Sequence, residues 1–125
     1  MRRIRVGGAW AAQIALAAFF GFVGFMKMTA PMADLARHHA WVAGLAPPVA
    51  RVVGASEMLC AALLLLPGLL PGRDRWIGGA AVALIANQCV AILFHALRGD
   101  LGGAIGQNLL LIALLGLVAA VRLRN

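Results

Sequence analysis

GASEMLCAALLLL, residues 54–66, is the stretch that decides how this chain is read. It is an unbroken apolar run with one acid, Glu57, near its start. An ionisable group inside a segment that looks membrane-spanning is costly, which makes it a functional residue by default and calls for a partner. The rest of the chain is read by asking what faces Glu57.

The composition supports a membrane setting. Of 125 residues, 63% are hydrophobic and 12% charged, and mean hydropathy is +0.94. A soluble domain carries about 25% charged residues, so this chain has too few to cover a water-facing surface. At roughly 20 residues per span it is long enough for several crossings. The net charge of +7 would suggest nucleic acid in a soluble protein. Here the Arg residues flank apolar runs at the termini and turns, as in membrane proteins, and nucleic acid is excluded as a partner.

Outward from residues 54–66, four spans are expected, at about 6–28, 49–70, 76–96 and 104–121. Pro71-Gly72-Arg73-Asp74-Arg75 and Leu97–Gly103 read as turns, since Pro and Gly set the backbone and charges face water. The first run is longer than the roughly 7–15 apolar residues of a signal peptide, so it reads as a retained helix. Between spans one and two, Asp34, Arg37, His38 and His39 alternate with Met32, Leu35, Trp41 and Leu45. That pattern fits a short amphipathic helix at the interface, with Trp41 at headgroup depth. The fold expected is all-α: a membrane four-helix bundle with a short interfacial helix, in one domain over residues 1–125. A bilayer admits only helices or closed barrels, and period-2 alternation is missing.

Cations set the orientation. The N-terminus, the 71–75 turn and the C-terminus share one side, with seven Arg including Arg122 and Arg124; Lys27, Arg37, Arg51 and Arg98 lie on the other. The excess places both termini in the cytoplasm. Glu57, roughly 12 Å into span two at 1.5 Å per residue, then falls in the outer half of the bilayer. Lys27 at the end of span one, His95 at the end of span three, and Gln107 and Asn108 at the start of span four fall there too. The inner half is apolar apart from Gln13.

These five residues are the candidates for ligand binding or proton relay. Gly21, Gly24 and Lys27 share a face of span one, and Gly54, Glu57 and Ala61 a face of span two. A Lys27–Glu57 contact is therefore expected. It can serve as a structural staple or as the head of a binding site. Asn87 and Gln88 read as interhelical glue, His38 and His39 as a solvated face, and Cys60 and Cys89 as buried packing residues. Catalytic sets and metal-ligand arrays are missing, so the metal expectation is none.

Phe20-Gly-Phe-Val-Gly-Phe-Met-Lys27-Met28 resembles the end of the first helix of DoxX-like membrane proteins. Gly54, Glu57 and the leucine run to Gly68 are similar to their second helix, and His95-Ala-Leu-Arg-Gly-Asp100 to the close of their third. The resemblance covers nearly the whole chain. Val23 departs from it, where many relatives carry a small hydroxyl residue. The resemblance implies a bacterial inner-membrane protein whose relatives are associated with quinone-linked sulfur oxidation, resistance to oxidative stress, or assembly of membrane proteins. It singles out Lys27, Glu57 and His95 as the family's polar signature. Without haem, flavin or iron–sulfur motifs, an autonomous oxidoreductase is not expected. The expected role is a redox- or quinone-associated subunit, with a bound quinone and other membrane proteins as partners besides the bilayer. The alternative is a membrane chaperone or assembly partner, and a small-solute carrier comes third.

Overall fold

A computed structural model describes residues 2–124. It is built from helices α1 (Arg2–Thr29), α2 (Met32–Arg37), α3 (Pro47–Leu65), α4 (Asp74–Arg98) and α5 (Leu101–Leu123). Two 3-10 turns, Trp41–Gly44 and Leu66–Leu69, complete it. Four of the helices are long and apolar enough to cross a membrane, and no strand occurs among the described residues. The protein is a multi-pass membrane helical bundle. Its outward face agrees: Ile14, Phe22, Val52, Leu59, Leu93 and Leu110 are all exposed, an apolar surface that only lipid covers without penalty.

Local sequence sets the helix ends. Pro47 and Pro48 open α3 in its first turn, where a missing N–H costs nothing. Gly99 ends α4 with φ +79°, a left-handed conformation that suits a residue without Cβ. Its N–H donates to the Ala96 carbonyl, and that of Asp100 to the His95 carbonyl. Pro67 cannot donate within α3, so the α-helix stops at Leu65 and tightens into a 3-10 turn. The segment after α1 is not one helix but α2 followed by the Trp41–Gly44 turn. Together they form a cap over one end of the bundle.

The helices form a ring in the order α1, α3, α4, α5, with the widest contacts between α1 and α3 and between α4 and α5. Gly24 and Gly54 set the first of these seams. A Cβ built on Gly54 would lie 2.6 Å from the Gly24 carbonyl oxygen and 2.7 Å from the Met28 nitrogen, so the backbones are in direct contact. Leu16, Phe20, Leu64, Ile77, Leu84 and Leu115 fill the middle of the ring. Leu35, Trp41, Val42, Ala50 and Ala91 form a second cluster beneath the cap.

The end opposite the cap holds a polar network that the sequence pattern had left apolar except for Gln13. Arg122, read from sequence as a solvated flank, is buried. Its Nε donates to Gln13 Oε1 at 2.8 Å and its Nη1 to Asp74 Oδ1 at 3.1 Å. The guanidinium lies 5.2 Å from the Trp10 ring centroid. Gln13 Nε2 in turn donates to the Leu64 carbonyl at 2.6 Å, beside the break made by Pro67. One arginine therefore ties α1, α4 and α5 together and, through Gln13, reaches α3.

The Gly24–Gly54 seam gives a first prediction. Gly54→Val forces two backbones apart and is expected to cost about 1–3 kcal/mol, as overpacking does. Gly116→Ala, where a Cβ meets open space, is expected to leave stability unchanged or slightly raised. Unfolding in detergent measures both, and equal midpoints would show that the seam is not tight.

Candidate functional site

The polar residues sit on the buried stripes of their helices. On α1 the stripe is Gln13, Leu16, Phe20, Gly24 and Lys27; on α3 it is Ala50, Gly54, Glu57, Ala61 and Leu64. On α4 it is Leu84, Gln88, Ala91 and His95, and on α5 it is Asn108, Leu111, Leu115, Val118 and Arg122. Steps of three and four residues keep each set on one helix face. Because these faces point into the ring, Lys27, Glu57, Gln88, His95 and Asn108 converge at the capped end.

Lys27 and Glu57 make the central contact. Lys27 Nζ donates to Glu57 Oε1 at 2.6 Å, and the two residues are 8% and 1% exposed. The ammonium also lies 5.5 Å from the Trp41 ring centroid, a cation–π distance. Arg51 Nη1 donates to the Lys27 carbonyl at 2.9 Å, satisfying one of the orphan carbonyls in the last turns of α1. The second carboxylate oxygen, Glu57 Oε2, is buried without a hydrogen-bond partner. The Asn87 amide lies beside Glu57 without closing a hydrogen bond to it.

His95 is held from the rim. Its Nδ1 lies 2.9 Å from Asp100 Oδ1. Arg98 Nη2 lies 3.2 Å from the same nitrogen, so Nδ1 donates to the carboxylate in one tautomer and accepts from the guanidinium in the other. The hydrogen bond from His95, together with the charge of Arg98, holds the Asp100 carboxyl below its ordinary range. Arg98 Nη2 donates to Asp100 Oδ2 at 3.1 Å and to the His39 carbonyl at 3.0 Å. Arg98 Nη1 donates to the Ala40 carbonyl at 2.9 Å. His39 has φ +59°, a conformation that costs energy in a residue with a Cβ and persists where its surroundings fix it. Arg98 thus fastens the cap to the end of α4.

Between α1, α4, α5 and the cap lies a cleft of about 840 Å³. All five residues singled out from sequence (Lys27, Glu57, His95, Gln107 and Asn108) line it. Phe19, Phe20, Phe22, Met26 and Trp41 supply its apolar walls. Besides Glu57 Oε2, the buried atoms Asn108 Nδ2 and Trp41 Nε1 lack partners and belong to lining residues, while Asn87 Nδ2 and Arg122 Nη2 lack partners away from the cleft. Buried polar atoms are rarely left unsatisfied, and three of these five gather around one space. Among the described residues no cluster of His, Cys, Asp and Glu is suited to hold a metal ion.

A model of the DoxX-like family matches residues 11–120. The chain belongs to that family. No curated protein matches it, and no solved structure does. The matched region contains every residue of this DoxX-like cleft, whereas Trp10 and Arg122 at the opposite end lie just outside it.

Several lining residues escape a reading by span alone. Gln88 was grouped with Asn87 as interhelical glue, yet Gln88 is 4% exposed and lines the cleft. The signal was its spacing: residues 88, 91 and 95 follow at i, i+3, i+7, whereas Asn87 lies off that face. The same rule run along α5 from Asn108 reaches Arg122. Trp41, expected at headgroup depth, turns inward against Phe94, with ring centroids 5.4 Å apart. His38 and His39 are exposed as expected and also border the cleft. Val23 lines the cleft, so an apolar group stands where many relatives carry a hydroxyl. Of the two cysteines, both free, Cys60 is half-buried and Cys89 is exposed, so Cys89 is not a buried packing residue.

The ion pair gives the second prediction. Lys27→Met or Glu57→Leu alone strands a buried charge and is expected to cost about 3–5 kcal/mol. The double variant is expected to recover part of that loss, with a coupling above about 1 kcal/mol. Unfolding in detergent measures the cycle, and additive losses would mean that the two groups do not act on each other.

Proposed function

We propose that residues 1–125 form one DoxX-like membrane subunit whose cleft holds the headgroup of a lipid-soluble quinone. The observation that supports this reading is the convergence of polar groups from all four long helices on one aromatic-walled cleft, with buried atoms that lack partners. A quinone ring offers two carbonyl oxygens and an apolar face. In this reading Asn108 Nδ2 donates to an oxygen, and the lining residues Phe20 and Trp41 meet the ring. Reduction to the quinol takes two electrons and two protons. Glu57, paired with Lys27, and His95, oriented by Asp100, are the groups suited to exchange protons. The electrons come from a partner redox protein in the same membrane, so the chain acts as an accessory subunit and not as an autonomous enzyme.

The membrane in this reading is the bacterial inner membrane, with both termini in the cytoplasm and the cleft on the outer side. The support is the imbalance of cations. Lys27 and Arg122 both turn inward to ion pairs, one from each side, so the imbalance stands. A reporter in the 71–75 turn is expected to report a cytoplasmic location, and an extracytoplasmic signal would reverse the assignment.

A second reading is favoured by one observation, the 2.6 Å ion pair directly beside the Gly24–Gly54 seam. There the pair is a staple for a protein that assists assembly of other membrane proteins. Two variants separate the readings. Lys27→Met/Glu57→Gln keeps shape without charge, and Asn108→Leu fills the cleft while leaving the pair intact. Both are expected to accumulate normally and to bind a decyl-substituted benzoquinone about tenfold more weakly, the equivalent of one or two lost hydrogen bonds. Unchanged binding by the protein that folds, with lower abundance of the Lys27/Glu57 variant alone, would favour the staple.

A further inference from the structure

The cleft is bordered along one side by residues that also face the outside of the bundle. On α1, Phe22 lines the cleft and is 66% exposed. Opposite it on α5, Gly103 and Gln107 line the cleft and are exposed as well. This is the α1–α5 seam, where contact is much less extensive than between α1 and α3. The lining residues Phe19 and Lys27 on α1 are eight positions apart, so the wall runs about 12 Å along the helix, into the bilayer's apolar depth.

The opposite wall is missing side chains. A Cβ built on either lining glycine, Gly102 or Gly103, meets nothing within 4 Å. These glycines therefore do not serve close helix packing, as Gly24 and Gly54 do. They leave a gap. Behind the gap, Asn108 is 6% exposed with its Nδ2 unpartnered. Gln107 puts an amide on an exposed face that also carries Leu110, where an amide is costly unless something polar meets it.

We propose that this gap is a lateral portal through which a lipid-borne amphiphile enters, its ring headgroup lodging against Asn108 and the Lys27–Glu57 pair and its tail left in the bilayer. The proposal rests on the cleft being a quinone site and adds the route and the need for a tail. A ligand arriving from water would meet the cap, which Arg98 holds closed against the His39 and Ala40 carbonyls. One arriving from lipid meets Phe22 and a strip of bare backbone. The tail then lies between Phe22 and Gly103 with no polar group to desolvate.

Gly103→Phe closes the gap without a backbone clash, and replacing Gly inside a helix favours the helix, so the variant is expected to fold. In vesicles, the unaltered protein is expected to bind a decyl-substituted benzoquinone at least about tenfold more tightly than its tail-less parent. Gly103→Phe is expected to weaken the decyl compound more than the tail-less one, so that the ratio of the two affinities falls toward one. A preserved preference overturns the portal. If neither compound binds the unaltered protein, the quinone reading fails, and a second measurement decides the portal by itself. With Trp10→Phe and Trp76→Phe, Trp41 is the sole tryptophan. Vesicles with brominated acyl chains are expected to quench its emission, and Gly103→Phe to reduce that quenching. Equal quenching in both overturns the portal.

Discussion

The Lys27–Glu57 ion pair is the contact on which the capped end depends. Removing two charges from water costs several kcal/mol each, and only close pairing with additional hydrogen bonds returns it. Beside the 2.6 Å contact, α1 and α3 approach until backbone meets backbone, which Gly24 and Gly54 permit, and this close seam keeps both charges away from lipid. Arg51 and Trp41 complete it, one by binding the Lys27 carbonyl and the other by facing the ammonium. Glu57 keeps one oxygen unpartnered, and this sets the pair apart from a closed structural staple.

The two ends of the bundle solve the same problem differently. At the end opposite the cap, Arg122 is shared by Gln13, Asp74 and Trp10, and the gaps are filled by Leu64 and Ile77. That end is a knot. At the capped end, Lys27, Glu57, His95 and Asn108 border about 840 Å³ of space between α1, α4 and α5, and the cap held by Arg98 covers its mouth.

Much of this was legible in the residues. The four spans, the α-helical class and the family follow from apolar runs, because a bilayer leaves a chain no other way to satisfy its backbone. Lys27, Glu57, His95, Gln107 and Asn108 were legible as a group because polar residues are rare in such runs. That Gln88 lines the cleft and Arg122 is buried follows from position around the helix, which a reading by span does not use. The inward turn of Trp41 depends on contacts with Lys27 on α1 and Phe94 on α4.

The sequence by itself determined that this chain spans a membrane on four helices and that its few polar groups concentrate toward one side. The physical reason is local: hydrophobic length and charge placement act on each segment separately. Only the tertiary structure decided the ring order, the closure of Lys27 on Glu57, the burial of Arg122 and the opening beside Gly103. Those depend on how each helix is rotated about its axis, and rotation is settled by packing between segments distant in the chain.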